Sequence, residues 1–82
     1  MLLKIKSFSV LDKFKLEILF SNSEKYIVDL QDELDGEVFE PLKNESLFKQ
    51  AYLTPWHVIE WPNGADFAPE FLYEKARGQK LS

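Results

Sequence analysis

The chain has 82 residues with no cysteine, one histidine, and 14 acidic against 10 basic side chains, for a formal net charge of −4. This length suits one domain, residues 1–82, and is too short for two. The missing thiols exclude disulfides and thiolate metal sites, and the acidic balance repels a phosphate backbone, which disfavours nucleic acid as a partner of the chain by itself.

A composition that is 45% apolar and 15% aromatic supplies enough ring area for a packed core, which argues against disorder. Basic residues interrupt the N-terminal stretch and no apolar run reaches the ~20 residues of a bilayer span, so the expectation is a cytoplasmic protein without signal peptide or membrane contact. Lys4, Lys6, Lys13 and Lys15 are close in sequence. Alternating lysines on strands are read as solvated or edge positions.

In chain order, Leu2 to Val10 predicts a first strand with an irregularity. Leu3 and Ile5 share one phase of a two-residue period while Phe8 and Val10 share the other, which calls for a bulge or bend. Leu11-Asp12-Lys13 turns the chain into Phe14, Leu16, Ile18 and Phe20, whose spacing of two marks a strand with one buried face. A polar turn, Ser21 to Glu24, leads to a third strand that places Tyr26, Val28 and Leu30 on one side. Such an antiparallel meander needs a helix or a second sheet over its apolar face.

The next segment predicts two short helical pieces, Glu37 to Leu42 and Glu45 to Gln50, because Pro41 forbids one long helix and Asn44 is a good N-cap. Ala51 to Leu53 and His57 to Trp61 then read as a second short hairpin around Thr54-Pro55. Pro62-Asn63-Gly64 reverses the chain, and Pro69 to Arg77 reads as a C-terminal helix closed by Gly78, with Gln79 to Ser82 frayed. Phe67 and Leu72 have the spacing of a hydrophobic staple, and Asp66 is placed to compensate free amides at the helix start. The predicted class is α+β: a three-stranded antiparallel meander, short helices, a second short hairpin and a C-terminal helix packed on the sheet.

Catalytic chemistry is thin. His57 is the one candidate base, no flanking motif orients a serine toward it, and the three glycines form no phosphate loop. Without further histidines or any cysteine, a transition-metal site is not expected, and no catalytic, cofactor or metal residues are assigned. The acidic groups Asp29, Asp32, Glu33 and Asp35, and Asp66, Glu70 and Glu74, read as solvated loops, since "DLQDELDG" lacks the ordered spacing of a calcium loop.

The strings "YIVDL", "GEVFEPLKNESLFKQAYLT" and "VIEWPNGADFAPEFLY" resemble the bacterial domain-of-unknown-function family 2442 over nearly the whole chain, with W-P-N-G-A-D followed by A-P-E-x-L-Y as the most characteristic element. The resemblance implies a small α+β domain with no established activity. Some members of that family continue into a helix-turn-helix, and others are encoded beside a second small domain in an arrangement like a toxin and antitoxin pair. Because the chain as read ends just after its last helix, an attached DNA reader is not expected. Asn22-Ser23 and Pro55-Trp56-His57 depart from the family where glycine-like turns are usual.

The expected function is a non-enzymatic protein-interaction or regulatory module, the acidic half of such a two-gene pair, that meets a protein encoded by a neighbouring gene. The alternative is a small-molecule-binding domain with a pocket between the sheet and the last helix. Candidate contact residues for either are Trp56, His57, Trp61, Asp66 and Tyr73. Pairing of exposed edge strands into a homodimer is compatible with both.

Overall fold

The structure is a computed structural model that describes residues 3–81, with side chains as far as Gly78. Three strands, β1 (Ile5–Leu11), β2 (Lys15–Phe20) and β3 (Lys25–Asp29), form the antiparallel meander in the order β1-β2-β3. The alternation along β2 sends Leu16, Ile18 and Phe20 into the core, and the register pairs Val28 with Leu16 and Tyr26 with Ile18. The irregularity in β1 is a bulge: Ile5 pairs with Phe20 but Ser7 with Leu19, so Lys6 is the extra residue. That one residue brings Ile5, Phe8 and Val10 onto the same face, opposite Phe20, Ile18 and Leu16. The expected start of β1 at Leu2 lies outside the described residues.

The middle of the chain is more broken than its sequence predicts. A 3-10 turn spans Gln31–Glu33 and another spans Glu40–Lys43, so the helix expected from Glu37 shrinks to the turn around Pro41. Helix α1 is a single turn, Glu45–Phe48, whose free amides at Ser46 and Leu47 are accepted by Asn44 Oδ1 at 2.9 and 3.4 Å. The Asn44 cap is therefore present as expected.

A second sheet follows, with β4 (Tyr52–Leu53), β5 (Ile59–Glu60) and β6 (Asp66–Phe67) in the order β4-β5-β6. Only its first two strands were expected. Asp66 thus lies extended across from Glu60, in a strand that ends two residues before the last helix. His57 is not in a strand either. It sits in the connecting turn with φ +68.

Three connections share one construction. At Phe20 to Glu24, Thr54 to Val58 and Trp61 to Ala65, the fourth residue donates its amide to the first carbonyl and the first residue donates to the fifth, at 2.8 to 2.9 Å. Each is a type I turn followed by a left-handed residue, the three-residue hairpin loop that favours glycine at that last position. The left-handed residues are Ser23 (φ +71), His57 (φ +68) and Gly64 (φ +92). A side chain reinforces each loop, since Asn22 Oδ1, Thr54 Oγ1 and Asn63 Oδ1 accept from Glu24, Val58 and Ala65 at 3.1, 3.0 and 3.2 Å. The two departures from the family pattern therefore fall where a Cβ is strained.

This geometry predicts that Ser23→Gly stabilises the domain by roughly 0.5–1 kcal/mol, because relief of the left-handed strain outweighs the extra unfolded-state entropy of glycine. The expected rise in melting temperature is roughly 2–8 °C. Ser9→Gly, at an exposed position of β1, should lower it. A melting temperature that falls in both variants refutes the strained-turn account.

Helix α2, Pro69–Leu81, closes the core. Pro69 stands at its first position and Leu72 donates to the Ala68 carbonyl at 3.1 Å. Leu72 and Ala76, one turn apart, are buried and Tyr73 is half-buried beside them, so this stripe faces the meander. Gly78 does not end the helix. Its φ is not left-handed, and glycine in a helix costs about 1 kcal/mol relative to alanine without barring the conformation. The helical backbone continues past the expected stop to Leu81, and Ser82 lies outside the described residues.

The core joins both sheets and both helices through Ile5, Leu16, Phe20, Phe48, Trp61 and Leu72, among others. Among the described residues no helix is long and apolar enough to cross a membrane.

Candidate functional site

The five residues singled out from sequence do not converge. Trp56 is 65% exposed at the tip of the Thr54 to Val58 turn, and beside it His57 Nδ1 lies 3.3 Å from the Ile5 carbonyl at the β1 bulge. That contact ties the second sheet to the first, with the ring nitrogen as donor. Trp61 is 0% exposed, its Nε1 donates to the Phe48 carbonyl at 2.8 Å, and its ring packs on Phe48 and Phe67. It is a core residue and offers no surface to a partner. Asp66 is exposed on β6.

Tyr73 serves a clamp between α2 and the β2–β3 hairpin. Its hydroxyl donates to Glu24 Oε1 at 2.5 Å, the Tyr26 hydroxyl reaches the same oxygen at 3.1 Å, and Asn22 Nδ2 donates to Tyr73 at 3.4 Å. Phe20, Tyr26 and Tyr73 meet edge to face, and Arg77 lies 5.5 Å over the Tyr73 ring. The hydrogen bonds from Tyr73 and then Tyr26 hold the Glu24 carboxyl below its ordinary range. Burial, followed by the hydrogen bond to Glu24, pushes the Tyr26 hydroxyl up. Satisfied phenols and a paired carboxylate fix a helix against a sheet.

Another phenol is shifted on the second sheet. Partial burial, then the Glu60 carboxylate across the strand pair, pushes the Tyr52 hydroxyl up. This pair also sits at the outside of the fold, where Tyr52 is 43% exposed.

An open cleft lies elsewhere. It is an open depression of about 400 Å³ lined by Asp32, Glu33, Asp35, Phe39, Phe67 and Phe71. Its floor is a ladder of near-parallel rings: Phe67 stacks on Phe39 at 4.7 Å and 22° and on Phe71 at 5.4 Å and 12°. Phe67 is held from its edge by Trp61, and Phe71 at the outer end is 39% exposed.

The corner at Trp61 to Ala65 positions this floor, because Asn63 Nδ2 donates to the Val38 carbonyl at 2.8 Å and so pins the segment that carries Phe39. The rim comes from the 3-10 turn after β3. There Glu33 meets Lys75 at 3.1 Å and Asp35 meets Lys43 at 3.4 Å.

Sequence reasoning named the acidic run but read it as solvated loop, and it passed over Phe71 as one more helix residue. A faint signal existed in the four-residue spacing of Phe67 and Phe71, which brings two rings together at a helix start. Nothing local connects either ring to Asp32. Among the described residues no group of histidine and carboxylate side chains could hold a metal ion.

Comparison with known proteins agrees with this architecture. The family model for DUF2442, described as a protein of unknown function, matches residues 5–78. The crystal structure of a "putative DNA binding protein" from Nitrosomonas europaea ATCC 19718 superposes with a TM-score of 0.87 at 22% sequence identity, over 99% of this chain and 53% of that one. The chain therefore spans about half the length of that solved protein, and at this identity the likeness establishes the fold alone. No curated protein matches the chain.

Proposed function

Because the chain belongs to the DUF2442 family, whose members are described as proteins of unknown function, its role has to be read from its own surface, and we propose that it is a non-catalytic protein-interaction module that docks a basic segment of a protein partner. The open cleft carries this reading: an apolar floor under a carboxylate rim on a chain of net charge −4. An aromatic surface excludes water and supplies contact area, while rim charges select and steer an oppositely charged partner. Exposed Trp56 extends the apolar contact area at a separate point of the surface. In this reading the partner is a basic protein encoded by a neighbouring gene.

Amide chemical-shift mapping tests this with a short peptide that carries both arginine and lysine at low salt. The expected result is saturable movement of the signals of residues 31–39 and 67–71, weakened as salt is added. Shifts spread evenly over the acidic surface, or no shifts, refute the docking reading.

A further inference from the structure

We infer that the cleft selects arginine over lysine, with the guanidinium laid on the outer ring of the Phe39–Phe67–Phe71 ladder; this rests on the docking reading above and names the side chain that fills the cleft. Phe67 is the middle ring and Phe71 the exposed one, so the ladder ends in an aromatic surface open to solvent. A flat, delocalised, weakly hydrated cation continues a stack of near-parallel rings, whereas an ammonium is a compact and strongly hydrated point charge. The cleft also supplies what the edge of a guanidinium needs, since the carboxylates of Asp32, Glu33 and Asp35 line the same depression and can accept its paired N–H donors.

The rim already attracts cations from within the chain. Lys43 reaches Asp35 and Lys75 reaches Glu33, from two different elements. The Lys43–Asp35 pair has both side chains more than half exposed, at 52% and 84%, and such a pair contributes little. An incoming guanidinium can therefore replace that ammonium on Asp35 at small cost and with no carboxylate left uncompensated. Asp32, exposed on the same rim, is a second acceptor that needs no rearrangement of the Glu33–Lys75 pair.

Two fluorescein-labelled eight-residue peptides of equal net charge, one with arginines and one with lysines at the same positions, distinguish the possibilities by fluorescence anisotropy. The expected result is roughly two- to five-fold tighter binding of the arginine peptide. Phe71→Leu should bring arginine-peptide affinity down to that of the lysine peptide and so abolish the preference, and Phe71→Trp, which keeps an aromatic face, should retain it. Equal affinity of the two peptides overturns the arginine inference and leaves the docking reading standing. Failure of both peptides to bind overturns both. An arginine preference that survives Phe71→Leu places selectivity away from the ladder and also overturns the inference. Should Phe71→Leu fail to fold by circular dichroism, the Phe71→Trp variant and an Asp32→Asn variant, expected to weaken arginine-peptide binding, decide in its place.

Discussion

Trp61→Ala is expected to cost the domain about 3–5 kcal/mol of its stability, and Trp61→Phe to lower its melting temperature by roughly 8–16 °C. The indole is 0% exposed and contacts Phe48 and Phe67, so truncation to alanine opens a large cavity at the meeting point of both sheets, a change that costs about 3–5 kcal/mol. A chain of this size has on the order of 5–10 kcal/mol in total, so such a loss consumes much of it. Phenylalanine keeps most of the ring but removes the Nε1 donor, which now stands 2.8 Å from the Phe48 carbonyl. That carbonyl ends the single-turn helix α1, and leaving it buried with a weaker partner costs about 2 kcal/mol. For a domain of 60–100 residues this converts to the quoted shift.

The measurement is favoured by the opposite exposures of the two tryptophans. In a Trp56→Phe background the remaining fluorescence reports Trp61 alone and should be blue-shifted until the domain melts. Emission typical of water in the folded protein, or a Trp61→Phe melting temperature within about 2 °C of the parent, refutes a core role for Trp61.

Trp61 also marks the limit of what the sequence discloses. The meander was legible because β2 has three apolar residues at a spacing of two, Leu16, Ile18 and Phe20, long enough for the period to fix a face. The Asn44 cap was legible because a cap depends on one residue and its next two amides. In contrast, β4, β5 and β6 have two residues each, and a two-residue strand has no period. Whether Trp61, just after β5, points in or out could not follow from its neighbours, and β6 was hidden altogether. Assignment of His57 to a strand failed for a related reason: the hydrogen-bond pattern of the turn, not the propensity of the residue, puts it at a left-handed φ. The cleft was illegible because its rim, Asp32 to Asp35, and two of its three floor rings, Phe67 and Phe71, lie more than thirty residues apart and meet only once both sheets are packed. Only tertiary contact makes them one surface.

Deletion of Ser9 should destabilise the domain far more than deletion of Lys6, although the two residues are exposed and lie in the same strand. Lys6 is the bulged residue, since Ile5 pairs with Phe20 and Ser7 with Leu19. Without it, Ile5, Phe8 and Val10 fall into a plain two-residue alternation and still oppose Phe20, Ile18 and Leu16. The local bend is lost and little else, so the expected change is within about 1 kcal/mol. Removal of Ser9 instead shifts the phase between Phe8 and Val10. The bulge is then consumed in keeping Ile5 and Val10 inward, Phe8 turns to solvent, and Ser7 takes its place against the core. Exposure of Phe8 and burial of an unpaired serine hydroxyl together cost roughly 2–4 kcal/mol. Thermal melts of the two deletion variants should therefore differ by at least about 4 °C, with the Ser9 deletion the lower. Equal losses would mean that the bulge is a local accident and that register is set elsewhere. A large gap in the stated order makes Lys6 the residue that lets an out-of-phase sequence present one apolar face.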